Sequence, residues 1–422
     1  MSEDRAKFDD VGLHAPDDWS TKSLGELFTL RKERGFTDLP LLSITASGGL
    51  VDRDSLERRD TSNSDKSKYL RVCPGDIAYN TMRMWQGVSG LVSKEGIVSP
   101  AYTVCAPAKS VHSPYTAQLF KLPELIQTFH RCSQGLVDDT LNLKFENFAP
   151  IKVHIPPLPE QQKIATILSS VDDVIEKTRS QIDKLKDLKT GMMQELLTKG
   201  IGHTEFKDSP VGRVPKNWIL KKFSEVTLKI QDGTHFSPQS KTGSFLYITS
   251  KNIQNGKLEL DNISFISKEE HDEIYRRCDV SYGDILLTKD GANTGNCAIN
   301  TLKEPFSLLS SVAFLRCNQD LCFNEYIYQY ISSPIFQKKI KDSMTGNAIT
   351  RLTLSLIKSF LIPLPEISEQ REIVKVLSSI DSRVNSVKAN LDKLLMLKEA
   401  LMQDLLTGKV RVKLDTTEVA AA

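Results

Sequence analysis

Among its 422 residues the sequence holds none of the motifs by which an enzyme usually declares itself. There is no GxxxxGK(S/T) loop to cradle nucleotide phosphates, and so no sign of an NTP-driven motor. Neither Asn-Pro-Pro-Tyr nor Asp-Pro-Pro-Tyr, the tetrapeptides of amino-methylating DNA methyltransferases, occurs. No glycine-rich strand-to-loop turn is present for a methyl donor, and HExxH and GxSxG are missing too. The seven cysteines, at 73, 105, 132, 278, 297, 317 and 322, form no Cys-x-x-Cys pair. That argues against a zinc site and for reduced thiols in a cytoplasmic protein. The seven histidines are isolated, and a lone histidine is most often a surface or satisfied core residue. No run of eighteen apolar residues exists, so no membrane span is expected. The opening MSEDRAKFDD is acidic and polar, unlike a secretory signal. A chain without catalytic residues, metal or cofactor of its own is the expectation.

What is there is a repeat. Glu160 to Thr198, EQQKIATILSSVDDVIEKTRSQIDKLKDLKTGMMQELLT, reads as one long amphipathic helix. Glu369 to Thr407, EQREIVKVLSSIDSRVNSVKANLDKLLMLKEALMQDLLT, repeats it without insertion or deletion. The apolar positions match pair by pair. The first copy has Ile164, Leu168, Val171, Ile175, Ile182, Leu185, Leu188, Met192 and Leu196. The second has Ile373, Leu377, Ile380, Val384, Leu391, Leu394, Leu397, Leu401 and Leu405. Spacings of four and three alternate along most of this length, the seam of a coiled coil. Each helix would span just under about 60 Å. Short connections make the pair antiparallel, with a pseudo-twofold axis and one globular region at each end. Matched letters also occur off the seam, in Leu-Ser-Ser before Asp and in Met-Gln-(Glu/Asp)-Leu-Leu-Thr. A seam constrains only buried positions, so these suggest that a partner protein touches both copies.

The remaining chain falls into two regions with one frame. Hydrophobic content of 40% and charged content of 26% suit two globular domains with their own cores. Pro16-Asp17-Asp18-Trp19 is echoed by Pro215-Lys216-Asn217-Trp218, and Pro74-Gly75-Asp76-Ile77 by Tyr282-Gly283-Asp284-Ile285. Short alternating runs broken by glycine and proline predict β-rich cores. A helical stretch follows in each, interrupted at Pro123 in the first. The proline-rich junctions differ: Pro365-Glu366-Ile367-Ser368-Glu369 reads as two residues longer than its first-copy counterpart. Between landmarks the two regions hardly agree, as when one scaffold presents two different surfaces. The fold expected is α/β (α+β), with boundaries 1–157, helix 158–200, 201–363, helix 364–408 and a tail 409–422.

Polar loops are the candidates for contact with a partner. Asn80-Thr81-Met82-Arg83-Met84-Trp85-Gln86-Gly87 follows a strand-like run. Its Asn80, Arg83, Trp85 and Gln86 combine an indole with groups that pair with base edges. Arg31, Lys32 and Arg34 form a cationic run suited to phosphates. In the second region Lys289, Asn293 and Thr294 occupy the corresponding loop. Lys251 and Asn252, Lys338 and Lys339, and Asn347 with Arg351 add donors. Each stretch also reads as an ordinary solvated turn, and a net charge of +2 neither demands nor excludes nucleic acid.

The segment Ile155-Pro156-Pro157-Leu158-Pro159-Glu160-Gln161-Gln162 before the long helix, and its echo Ile362-Pro363-Leu364-Pro365 … Glu369-Gln370, resemble the specificity subunit of type I restriction-modification systems. The resemblance covers nearly the whole chain. It implies two target recognition domains, each reading one half of an asymmetric bipartite site in double-stranded DNA, with the helices fixing the gap. It further implies docking of two modification (methyltransferase) subunits and, with them, ATP-dependent restriction subunits. S-adenosylmethionine, ATP and Mg2+ would then belong to those partners. Two other readings stay open: a coiled-coil interaction scaffold without a DNA role, and a self-sufficient DNA-modifying enzyme.

Overall fold

The computed structural model describes residues 16–45, 49–55, 65–240, 242–254, 256–345 and 351–414. The chain divides into two compact units, Met1–Arg179 with Asn390–Ala422, and Ser180–Ala389. Each unit therefore owns a globular part and one stretch of each long helix. The helices run from Leu158 to Lys199 and from Ile367 to Leu406. Mixed helix and sheet, as expected, is the fold class.

In the first unit β1 (Ser20–Ser23) leads to β2 (Phe28–Leu30), β3 (Ile77–Asn80), β4 (Ser89–Leu91) and β5 (Tyr102–Pro107). Strands β2 to β5 form one antiparallel sheet in the order β2-β5-β3-β4. Helices α1 (Ser113–Leu119) and α2 (Pro123–Cys132) follow; the break between them lies just before Pro123, where the ring costs a helix least. β6 (Lys152–Ile155) then returns to pair antiparallel with β1. The sheet is buried on both faces, which is why its strands read as continuous apolar runs. Ile77 and Tyr79 face a core with Phe120, Phe129 and Phe148, whereas Ala78 and Val104 face a second one with Leu42 and Val72.

The second unit repeats this plan. β7 (Ile219–Lys222), β8 (Thr227–Asp232), helix α3 (Lys268–Tyr275), β9 (Ile285–Thr288), β10 (Cys297–Ile299) and β11 (Val312–Cys317) come in order. The sheet order β8-β11-β9-β10 matches the first unit strand for strand. Helices α4 (Asn324–Ser332) and α5 (Pro334–Thr345) stand where α1 and α2 stood, and β12 (Leu361–Leu364) pairs with β7. Ile285 and Leu287 face one core, Leu286 and Phe314 another.

Within each unit the helix segments run antiparallel. Asp172, early in the first helix, pairs with Lys398, late in the second, at 2.6 Å. In the second unit Lys189 pairs with Asp381 at 2.6 Å. The seam residues Ile164, Leu168, Ile175, Ile182, Ile373, Leu377, Ile380 and Val384 are buried, and Val171, Leu185, Leu391 and Leu394 are half-buried. Two corrections apply. Ile164 and Leu168, with Met402 and Leu405, belong to the first unit's globular core, as Leu196, Ile373 and Leu377 belong to the second's. Leu188 and Leu397, expected on the seam, are 51% and 49% exposed.

The junction before each helix also differs from expectation. Gln161 donates to the Pro156 carbonyl at 2.9 Å and Gln370 to the Pro365 carbonyl at 2.9 Å. Helices beginning at Leu158 and Ile367 keep the same distance from these prolines. The two junctions are of equal length. The inserted look arose from aligning prolines by identity, whereas Pro365 stands opposite Pro156 and not opposite a later proline.

None of the seven cysteines is in a disulfide. Among the described residues no group of three or more His, Cys, Asp or Glu could hold a metal ion, and no helix is long and apolar enough to cross a membrane.

Candidate nucleic-acid interface

Each candidate loop follows an inner strand that begins at a tight turn. Gly75 and Gly283 have φ of 92° and 85°, a left-handed backbone that favours glycine. The turn buries an aspartate, Asp76 or Asp284, which accepts the N–H of Cys73 or Ser281 at 2.8 Å. A forked guanidinium completes each site. Arg31 donates to Asp76 at 2.7 and 3.1 Å, and Arg316 to Asp284 at 3.1 and 2.9 Å. Such bidentate pairs are strong because both N–H vectors match the carboxylate plane. The carboxylate hydrogen bonds push both guanidinium pKa values up.

Beyond β3 the chain makes a compact loop. Met84 is fully buried beneath it, and Gly87 closes a short turn at φ 74°. The Trp85 indole N–H donates to the Met82 carbonyl, and its ring meets His130 edge-on at 5.6 Å. Lys121, half-buried, donates to the Gly87 and Ser89 carbonyls at 2.5 and 2.9 Å and so fixes the loop's return. Burial, and then the charge of Lys398, lower its pKa to about 8. Arg83 and Gln86 project from this fixed turn and are exposed.

Beyond β9 four loops are knitted together. The Lys289 N–H donates to the Ser311 carbonyl, and the Ser250 N–H to the Ser311 hydroxyl. The Asn293 amide donates to the Ser250 carbonyl, and Leu352 N–H to the Lys289 carbonyl. The last bond repeats Leu143 N–H to Thr81 carbonyl in the first unit.

A family model described as "Type I restriction modification DNA specificity domain" matches residues 93–187 and 215–396. The chain belongs to this family. It is similar to the type I restriction enzyme MjaVIII specificity subunit of Methanocaldococcus jannaschii, 27% identical over 95% of each chain. The EcoKI specificity subunit of Escherichia coli is 26% identical over 48% of this chain and 44% of its own. The fold is shared with the S subunit of a type I restriction-modification system from M. genitalium, with a TM-score of 0.54 at 15% identity, covering 95% of this chain and 98% of that one.

In this specificity-family chain the sequence-predicted residues sort by whether their polar atoms are free. Lys32, Arg34, Arg83, Gln86, Lys251, Lys338 and Arg351 are exposed. Lys339 is half-buried over the Phe360 ring, and burial lowers its pKa. Arg31 is a correction: its guanidinium is taken by Asp76 and by Glu33 at 2.5 Å, so it braces the sheet and is not a free phosphate ligand. Asn252 is a second. It is 6% exposed, its oxygen accepts from Thr249 N–H and its amide donates to the Glu259 carbonyl. Asn80 spends its side-chain oxygen on the Met82 N–H, and Thr294 its hydroxyl on the Gly291 carbonyl. Asn347 lies outside the described residues.

The matched letters off the seam serve internal bonds as well. Gln161 accepts the His112 N–H and donates to the Ser110 carbonyl; Gln370 does the same with Phe323 and Leu321. Asp172 takes Gln118 from α1, and Asp381 takes Gln329 from α4. Glu160 receives Arg411, from just beyond the second helix, while Glu369 receives the Ile201 N–H and His203 from just beyond the first. The repeated Glu-Gln and Asp positions are thus accounted for by bonds within each unit. Sequence reasoning missed Asp232, His235 and Arg277; the basic pair Arg276-Arg277 after a helix was the available signal.

Proposed function

We propose that the chain is the sequence-reading subunit of a type I restriction-modification complex and performs no chemistry itself. Its first unit reads one half of a bipartite DNA target and its second unit the other. The reading is carried by one observation: two sheets built on the same anchors bear unrelated polar loops at corresponding strand ends. Phosphate contacts from exposed lysines and arginines would set affinity, and groups such as Arg83 and Gln86 would select bases. The long helices set the spacing of the half-sites and dock two modification subunits. Exposed Leu188 and Leu397, at matching places in the two helices, support that docking, because large apolar side chains left in water favour a partner. The modification and restriction subunits supply S-adenosylmethionine, ATP and Mg2+ chemistry.

Mapping methylated positions across the genome of cells with and without this chain tests the reading. A split motif that appears only with the chain is the expected result. A second strain lacking one heptad from each helix, about 10 Å of rod, should keep both half-sites and alter the gap. An unchanged gap removes the spacer role, and an unsplit motif removes the two-reader role.

A further inference from the structure

In the second unit, the end of β8 concentrates positive charge around a single buried carboxylate. Asp232, 6% exposed as a side chain, lies 3.3 Å from Lys289, 3.5 Å from His235 and 3.7 Å from Arg277. None of these is a tight pair. The carboxylate's nearest donor is the neighbouring Gln231 amide at 3.1 Å. Lys289 is 8% exposed, and among the described residues its ammonium meets only this carboxylate. An ammonium offers three donors, and a buried one left with a single loose acceptor is costly. A lysine and an arginine thus face one carboxylate before His235 is counted.

Two other carboxylates of this unit are already engaged. Asp284 is taken by Arg316, and Asp279 by Arg316 and Lys229 at 3.1 and 2.6 Å. The backbone is shaped to hold the cations. Gly233 passes so close to the Leu308 carbonyl that a Cβ would not fit, and its own carbonyl accepts from Arg277 at 2.8 Å. Arg277 and His235 stay 55% and 65% exposed, so the cluster opens to solvent on one side.

We infer that Asp232 gathers Lys289, Arg277 and His235 into a clamp for one backbone phosphate of the second half-site. This rests on the DNA-reading role proposed above and adds the ligand atom class and the residues that take it. A phosphodiester supplies the acceptors that Lys289 lacks and neutralises the surplus charge. Asp232 is the positioning residue, and the three cations are the contacts.

The test uses the complex assembled with its modification subunits and a duplex carrying the mapped target. Affinity is measured against salt for the wild type and for Arg277→Gln, a replacement at an exposed position that spares the fold. Loss of one phosphate contact should reduce the slope of log K on log salt by about 0.9 and leave base preference unchanged. His235→Gln should act in the same direction. In a second arm, single neutral methylphosphonate linkages are placed through the second half-site. One position should weaken the wild type more than it weakens Arg277→Gln, which keeps Lys289 and His235 at that phosphate. An unchanged slope, or methylphosphonate effects equal in wild type and variant at every position, overturns the clamp. Wild-type complex that fails to bind the target at all overturns the DNA-reading role instead, so the two failures are distinguishable.

Discussion

The two units solve one problem with different residues. Both bury an aspartate in the turn before the central strand, and both answer it with a forked arginine. In the first unit the arginine comes from the residue after the edge strand, Arg31; in the second it comes from the neighbouring strand, as Arg316 of β11. The frame constrains where a guanidinium must arrive and not which strand sends it. Around these pairs the charge diverges. In the first unit Glu33 accepts both Arg31 and Arg71, and Arg71 also meets Glu95, so carboxylates hold the cations close. In the second, Asp232 faces more cations than it can pair. The same architecture thus pairs Arg31 and Arg71 tightly with carboxylates at one strand end and leaves Lys289 and Arg277 loosely paired at the other.

That comparison can be pressed hardest at the aspartates. Asp76→Ala and Asp284→Ala should each destabilise their unit by about 2–3 kcal/mol, since each removes the forked hydrogen bonds of a half-buried arginine that keeps a second carboxylate, Glu33 or Asp279. Chemical denaturation that found one loss several-fold larger than the other would show that the two strand origins are not equivalent.

A smaller asymmetry concerns Lys121. Its folded pKa of about 8 lies below the ordinary 10.5. Between those values the unfolded chain binds the extra proton, so stability should rise with pH across that window and be weakened below it. The expected gain from about pH 7.5 to about pH 9.5 is about 2 kcal/mol. Lys121→Met should remove this pH slope. In the second unit the equivalent position of the helix carries Ser332, which meets Cys297 at 3.2 Å, so no such contribution arises there. Denaturation midpoints that rise equally in wild type and Lys121→Met would refute the assignment.

The smallest expected difference lies between the two tryptophans. Trp218 donates its indole N–H to Glu369 at 3.1 Å, whereas among the described residues the buried indole N–H of Trp19 meets no acceptor. Glu160, the counterpart of Glu369, is held by Arg411 instead. Trp218→Phe should therefore cost about 1–2 kcal/mol more than Trp19→Phe, because only the first breaks a bond to a charged group. Equal losses in thermal or denaturant unfolding would argue that both indoles serve by packing alone.

Much of this frame was legible in the sequence because it rests on short, local patterns. The doubled helix, the Gly-Asp turns and the Pro-to-Glu-Gln junctions are spelled out by neighbouring letters. What was hidden depends on contacts made across long stretches of chain. Nothing near Arg31 announces Asp76, forty-five residues away, so a structural brace read as a phosphate ligand. Asn252 looked like a base reader, because a buried amide and an exposed one have the same letter. Leu188 and Leu397 fitted the heptad, but periodicity gives a face and not what covers it. Lys289 reads as an exposed loop donor because Asp232, the carboxylate that draws it inward, lies far away in the sequence.

The glutamines at the two helix starts carry a lesson about tolerance to change. Among the described residues the Gln161 and Gln370 side chains hydrogen-bond only to main-chain groups, the N–H of one residue and the carbonyls of two more. Every amino acid brings a carbonyl, and all but proline bring the N–H, so neighbours of these side chains can be exchanged without loosening the joint. A protein fastened in this way can acquire new surfaces quickly while its skeleton stays put.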